Sequence, residues 1–239
     1  DNSNHSDVYP QMADFTFYGG IYRNVKMLVV SPTHFCLDYY GSKGIAFSSQ
    51  RQGNDAKIKL SAWITNPKES DAVQFELIDE DGDTVSECFV PAKEYTETAA
   101  RIENVHLWQG VEDPYLYTVV ARLIRHNEVL DEVEAELGVR EFYVDPEKGF
   151  FLNGKSMPLR GVSRHQDMLG KGNALTEEDH WEDAYQIAEL GANTIRLAHY
   201  QHNQAFYQAC DALGFIVWAE IPFISAMNRD PKGHENCRE

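Results

Sequence analysis

The chain has 239 residues, 43% hydrophobic and 12% aromatic, an ordinary globular composition with room for one large domain or two modest ones. Its 38 acidic against 21 basic side chains leave a formal net charge of −17, which disfavours nucleic acid and anionic membrane surfaces as partners and leaves neutral small molecules open. No apolar stretch approaches the roughly 20 residues of a membrane-spanning helix.

Cys36, Cys88, Cys210 and Cys237 are scattered, with no CxxC pair and no zinc-like spacing to histidine. They read as buried or free thiols, which favours a reducing, cytoplasmic setting, and no metal site is expected from them. The first residues, DNSNHSDVYPQ, lack the apolar core of a signal peptide, and the last, RDPKGHENCRE, form an unfinished polar run. The expectation is a piece of a longer protein, with export and localisation left open.

Three zones follow one another. In residues 1–31, FTFYGGIYRNVKMLVV reads as two short strands joined at the Gly19-Gly20 break. Residues 32–145 hold about seven strand-like runs. KIKLSAWIT puts Ile58, Leu60, Ala62 and Ile64 on one face at period two, VQFELI does the same with Val73, Phe75 and Leu77, and DEDGD turns between strands. HNEV marks a further reversal, and the pattern predicts an immunoglobulin-like β-sandwich without the Cys and Trp signature of antibody domains.

From 146 to 239 the period changes. FFLNGKSMPLRGVSRH reads as a hairpin around Asn153-Gly154 and then a strand; Thr176 opens a helix as T-x-x-D, and Gly191 ends it. Trp181, Ala184, Tyr185 and Ala188 are expected on that helix's buried face. The strand NTIRLAHY follows, then a helix burying Phe206, Ala209, Cys210 and Leu213, then the strand FIVWAEIP. This β-α-β-α-β order, with strands apolar almost throughout and no Gly-rich phosphate loop, predicts the first βα units of a (β/α)₈ TIM barrel.

Barrel enzymes keep reactive groups at the carboxyl ends of strands. Here those ends carry Arg164 and His165, then Arg196, His199 and Tyr200, then Glu220. Neutral imidazoles suit sugar hydroxyls, and a guanidinium suits a carboxylate held at two points. For Arg196 and Glu220 a plain structural ion pair is the competing reading, and for a single strand-end histidine it is a hydrogen-bonded loop residue.

DFTFYGGIYRNV, WQGVEDPYLYTV, FFLNGKSMPLRGVSRHQD and GANTIRLAHYQHNQAFYQACDALGFIVWAEIP, in that order, resemble glycoside hydrolase family two, most closely its β-galactosidases. The resemblance implies the end of a jelly-roll sugar-binding domain, an immunoglobulin-like domain and an incomplete catalytic barrel. It implies that Asp14, His165 and His199 bind substrate, with a sodium ion near Asp14, and that Arg164, Arg196 and Glu220 support the site. RGVSRHQD has the galactosidase form rather than the lysine-bearing glucuronidase form. Some members hold magnesium just after the third barrel strand; in PFISAMN, Ile224 and Ala226 occupy the ligand places, so no magnesium is expected there.

By the same resemblance, the parent is a retaining hydrolase of terminal β-D-galactosides whose two glutamates, about 5 Å apart, act as acid/base and nucleophile. Both are expected beyond Glu239, and the chain by itself is expected to be inactive. Asn127-Glu128 reads as a turn, not a catalytic pair. A β-glucuronidase or another β-glycosidase of the family is the alternative, and a non-catalytic immunoglobulin-like interaction module is the alternative of another class. The oligomeric state is open, a homo-oligomer included.

Overall fold

β-Branched and aromatic residues at period two build the middle of the chain into strands, and apolar runs broken by capped helices build the rest. The structure is a computed structural model describing residues 7–8, 13–224 and 226–238. Contacts within the chain group into two units. One is Met27–Met157; the other joins residues up to Lys26 with those from Pro158 onward.

In the first unit run β1 (His34–Phe35), β2 (Ile45–Gln52), β3 (Asp55–Thr65), β4 (Asp71–Ile78), β5 (Thr84–Pro91), β6 (Tyr95–Ile102), β7 (Tyr117–Arg125) and β8 (Glu128–Leu137). They form two antiparallel sheets. β3 is paired with β6 along one edge and with β2 and then β1 along the other, while the second sheet has the order β5-β4-β7-β8. The period-two faces do what their pattern dictates: Ile58, Leu60 and Ala62 are fully buried, as are Val73 and Leu77, and they share one core with Val119, Ala121 and Leu123 of β7.

Turn chemistry sets the connections. Asp79 Oδ1 accepts from the backbone N–H of Asp81 and Asp83, and Gly82 supplies the positive φ that closes the DEDGD hairpin. His126 and Asn127 both have positive φ, the pairing that a two-residue hairpin turn requires, so Asn127-Glu128 is the turn and first strand residue the sequence suggests. The charged Asp71 is buried at the start of β4 and is matched by a two-point contact from Arg125 at 2.7 and 2.9 Å. Those hydrogen bonds outweigh burial and hold its carboxyl below the usual range.

A small sheet follows in the same unit: β9 (Phe142–Asp145), β10 (Gly149–Leu152) and β11 (Lys155–Ser156), in the order β11-β10-β9. Its turn is Asn153-Gly154, both with positive φ. Asn153 also donates from Nδ2 to the carbonyl of Trp108 and accepts from the Glu141 N–H, which ties the hairpin to the sandwich.

The other unit contains β12 (Gly161–Arg164), α1 (Glu177–Glu189), β13 (Thr194–Leu197), α2 (Gln204–Leu213), β14 (Ile216–Ala219) and α3 (Pro231–Asn236). β12, β13 and β14 are parallel and adjacent in that order. Thr176 and Asp179 exchange capping hydrogen bonds at the start of α1, and Gly214 takes the left-handed conformation that ends α2. Ile195 and Leu197 are fully buried with Phe206, Ala209 and Cys210.

Two expectations need correction. The buried line of α1 is His180, Ala184 and Ile187, whereas Tyr185 and Ala188 are exposed. The spacing i, i+4, i+7 is present in the sequence, but it runs through a histidine that hydropathy counts as polar. Secondly, no strand forms across residues 13–30, and Ile21, Val25, Met27 and Val29 are more than 80% exposed. β-propensity is a fit to a pleated, half-buried surface, and no ladder among the described residues offers this segment one. Residues 1–6 and 9–12 of that zone lie outside the described residues.

Gly161 sets how closely β12 approaches β13. A Cβ there would lie 1.8 Å from the carbonyl oxygen of Thr194 and 2.5 Å from its Cγ2, well inside van der Waals contact. Gly161→Ala is therefore expected to part the two strands and cost about 3 kcal/mol. Thermal unfolding checks this, and an unchanged midpoint would refute it.

Candidate active site at the carboxyl ends of three parallel strands

Alternation along the parallel strands sorts their side chains onto two faces. Ser163, Arg196 and Trp218 form one lateral row, and Arg164, Leu197 and Ala219 form the next, pointing the other way. The face of Ile195 and Leu197 is the one packed against α1 and α2. Arg196 is thus delivered to the face away from the helices.

There it meets Glu220, the residue directly after β14. Arg196 Nε donates to Oε1 at 2.6 Å and Nη2 to Oε2 at 3.2 Å. His199 joins the pair: its Nδ1 lies 2.9 Å from Arg196 Nη2 and 3.0 Å from Glu220 Oε2. Nδ1 is committed inside this triad, so Nε2 is the nitrogen left for a ligand. Burial works to raise the pKa of Glu220, but hydrogen bonds from Arg196 and His199 outweigh it, and the carboxyl is held below its ordinary range. The ion pair read from the sequence does form, and it carries a histidine with it.

His165 stands beside this triad, its ring centroid 5.3 Å from that of His199 and its Nδ1 3.3 Å from the Tyr200 hydroxyl. Burial first, then the neighbouring His199, lowers its pKa, so it is a neutral imidazole near pH 7. Tyr200 is pushed upward by burial and keeps its proton. Together these groups present donors and acceptors of neutral hydroxyls beside one anchored carboxylate and one guanidinium.

The segment around Asp14 belongs to this neighbourhood. Asp14 is exposed in a bend, its charge partly opposes the lowering of the His165 pKa, and the ring of Phe15 lies 5.1, 5.9 and 5.4 Å from those of His165, His199 and Tyr200. A cavity of about 260 Å³ runs beside it, with Phe15, Tyr22, Arg23, His199 and Tyr200 among its walls. A wider concavity of about 720 Å³ opens over Arg196, His199 and Glu220 and is continued by Ile221, Phe223 and Ile224. Ile224 and Ala226 line it with hydrocarbon, and among the described residues no group of three His, Cys, Asp or Glu could hold a metal ion.

Arg164 is the predicted site residue that lies elsewhere. It is 5% exposed on the helix side of β12, its guanidinium 3.8 Å above the ring of Phe206. Gln166, also buried, accepts from the N–H of Asn203 and so ties β12's end to the loop after β13. Sequence reasoning placed Gln166 only among the polar residues ending the first barrel strand, and did not assign Phe15, His180 or His202. Adjacency to Asp14 marks Phe15, and the helical spacing of His180 with Ala184 and Ile187 was the available signal for a buried histidine.

Residues 44–140 match the sequence profile of glycosyl hydrolases family 2, and residues 144–237 match the profile of that family's TIM barrel domain. The chain belongs to glycosyl hydrolase family 2. The two sheets of β1–β8 are its immunoglobulin-like domain, and β12–β14 with their helices are the start of its TIM barrel.

Among relatives, a β-glucuronidase of Bacteroides fragilis is 36% identical over 97% of this chain and 34% of its own length. A β-galactosidase of Thermoanaerobacter pseudethanolicus is 30% identical over 93% of this chain and 30% of its own. Among solved structures, an FMN-binding β-glucuronidase from Facaelibacterium prausnitzii L2-6 superposes with a TM-score of 0.95 at 50% identity, over 98% of this chain and 36% of that one. The chain spans about a third of the length of the relatives it matches. No helix among the described residues is long and apolar enough to cross a membrane.

Proposed function

We propose that this chain is part of a retaining β-glycosidase and forms one wall of its sugar pocket, with β-D-glucuronides as the substrates. The observation that supports a glycosidase is the grouping of His165, His199, Arg196 and Glu220 at neighbouring strand ends, where neutral imidazoles meet hydroxyls. The sugar is proposed from the relative at 50% identity, a β-glucuronidase, which outweighs the preference for galactosides drawn from RGVSRHQD. In the reaction a carboxylic acid protonates the leaving oxygen while a second carboxylate attacks the anomeric carbon. Water then releases the sugar from the glycosyl-enzyme.

On this reading, His199 Nε2 and His165 contact ring hydroxyls, and Arg196, held by Glu220, presents positive charge toward a carboxylate in the pocket. Asp14 contributes a carboxylate at the rim. One exposed carboxylate is a small part of the oxygen shell a hard cation takes.

The test is turnover of 4-nitrophenyl β-D-glucuronide and β-D-galactoside by the whole protein. A kcat/KM at least about 100-fold higher for the glucuronide is expected, because a site that pairs a substrate carboxylate rejects the analogue lacking it. The reverse order would restore the galactosidase reading, which the T. pseudethanolicus relative supports, and turnover of no aryl β-glycoside would sink both.

A further inference from the structure

Arg164 is a buried cation on the side of β12 away from the sugar-facing groups, and its five N–H donors are almost fully assigned. Nε and Nη2 both reach Asp183 Oδ2, at 2.9 and 2.6 Å. Nη2 also donates to His180 Nδ1 at 3.0 Å, and Nη1 donates to His202 Nδ1 at 3.1 Å. A guanidinium has no acceptor, so both imidazoles must present a lone pair at Nδ1 and carry their proton on Nε2. His202 spends that proton on the carbonyl of Ala198, at 3.1 Å.

Ala198 is the residue before His199, and Arg164 grips it twice. The backbone N–H of Ala198 donates to the carbonyl of Arg164 at 3.0 Å, and its own carbonyl is held by Arg164 through His202. Two residues beyond Arg164, Gln166 takes the N–H of Asn203 at 2.9 Å. The loop 198–203, which carries both His199 and Tyr200, is therefore sewn to the end of β12 at its first and last residues. Among the described residues no buried side-chain nitrogen or oxygen is left without a partner.

We propose that Arg164, His202, His180 and Asp183 form a positioning assembly that sets the backbone on either side of His199, with His202 as the link that transmits it. Resting on the glycosidase reading, this assigns to residues that touch no sugar a share in substrate binding. It also explains why an arginine is buried among helices at a strand end whose polar groups otherwise face the pocket.

The assembly makes a specific demand of position 202: an acceptor toward Arg164 and a donor toward Ala198. Glutamine can meet both, and phenylalanine fills the same space and meets neither. In the whole protein, His202→Phe is expected to raise KM for the aryl glycoside on the order of tenfold, with the larger part of the loss in KM rather than kcat. It should also speed amide exchange, followed by mass spectrometry, in the peptide spanning residues 198–203.

His202→Gln should restore both to within about threefold of the parent. Ile195→Val, a core change that removes none of these hydrogen bonds, serves as the stability control and should leave KM alone. Should His202→Phe fail to fold, Arg164→Lys keeps the charge but cannot serve both imidazoles and Asp183 at once, and it should give the same two changes. The proposal is overturned if the variant leaves KM and exchange unchanged, or if glutamine does no better than phenylalanine. A parent protein without turnover defeats the functional reading alone, since the exchange comparison still decides the positioning role.

Discussion

Glu220→Gln in the whole protein is expected to lower kcat/KM by at least about 100-fold with the fold intact. The carboxylate accepts from Arg196 through both oxygens and faces Nδ1 of His199 with one of them. An amide keeps one acceptor, but in either orientation its NH2 confronts a guanidinium N–H, donor against donor. An exposed ion pair is worth only about 0.2–1 kcal/mol, less than roughly a sixfold effect. Glu220 is different because two site groups take their orientation from it, and a misplacement of about 1 Å in such groups costs on the order of 100-fold. Steady-state kinetics on the preferred aryl glycoside measure this. A loss below about fivefold would reduce the triad to the plain structural pair that the sequence also allowed.

What the sequence made legible follows from which interactions are local. Period-two burial in β3 and β4, the Asp79 turn, the Thr176 cap and the Gly191 stop each depend on residues a few positions apart, and all are found where expected. The strand-end groups Arg196, His199 and Glu220 were legible too, because a parallel βα order dictates that consecutive strand ends become neighbours. The facing of Arg164 was not. One residue of register decides whether a strand-end side chain points to the helices or away from them, and the short run from Gly161 to Arg164 carries too little alternation to single out its direction. Nor could pattern reveal that His180, on α1, and His202, in the loop after β13, share one guanidinium. Residues 13–30 show the converse limit: composition advertises strands, yet a strand exists only where a partner ladder does.

Acid should loosen the barrel portion well before it titrates the carboxylates. Burial first, and then the Arg164 charge, lower the pKa of His180 from 6.5 to about 4; burial likewise brings His202 from 6.5 to about 4, with its hydrogen bond to Ala198 opposing and Arg164 assisting the shift. Protonating either ring at Nδ1 would turn an acceptor into a donor aimed at a guanidinium. The unfolded chain takes up these protons as pH falls below about 6.5, whereas the folded chain refuses them until about 4. Stability is therefore full above the unfolded value and is lost as pH falls through that window, by roughly 3 kcal/mol for each imidazole. The two share Arg164, so their contributions need not add. Carboxylates held low by hydrogen bonds, Asp71 by those of Arg125 and Glu76 by those of Thr84 and then Arg122, act in a separate range, losing their contribution only as pH drops below their ordinary values of 3.8 and 4.5. Thermal midpoints of the whole protein measured from pH 7 to pH 4.5 should fall for the parent. They should fall less steeply for His202→Gln, which keeps the hydrogen bonds and has no proton to accept. Equal slopes in the two proteins would show that His202 is not held neutral in the folded chain.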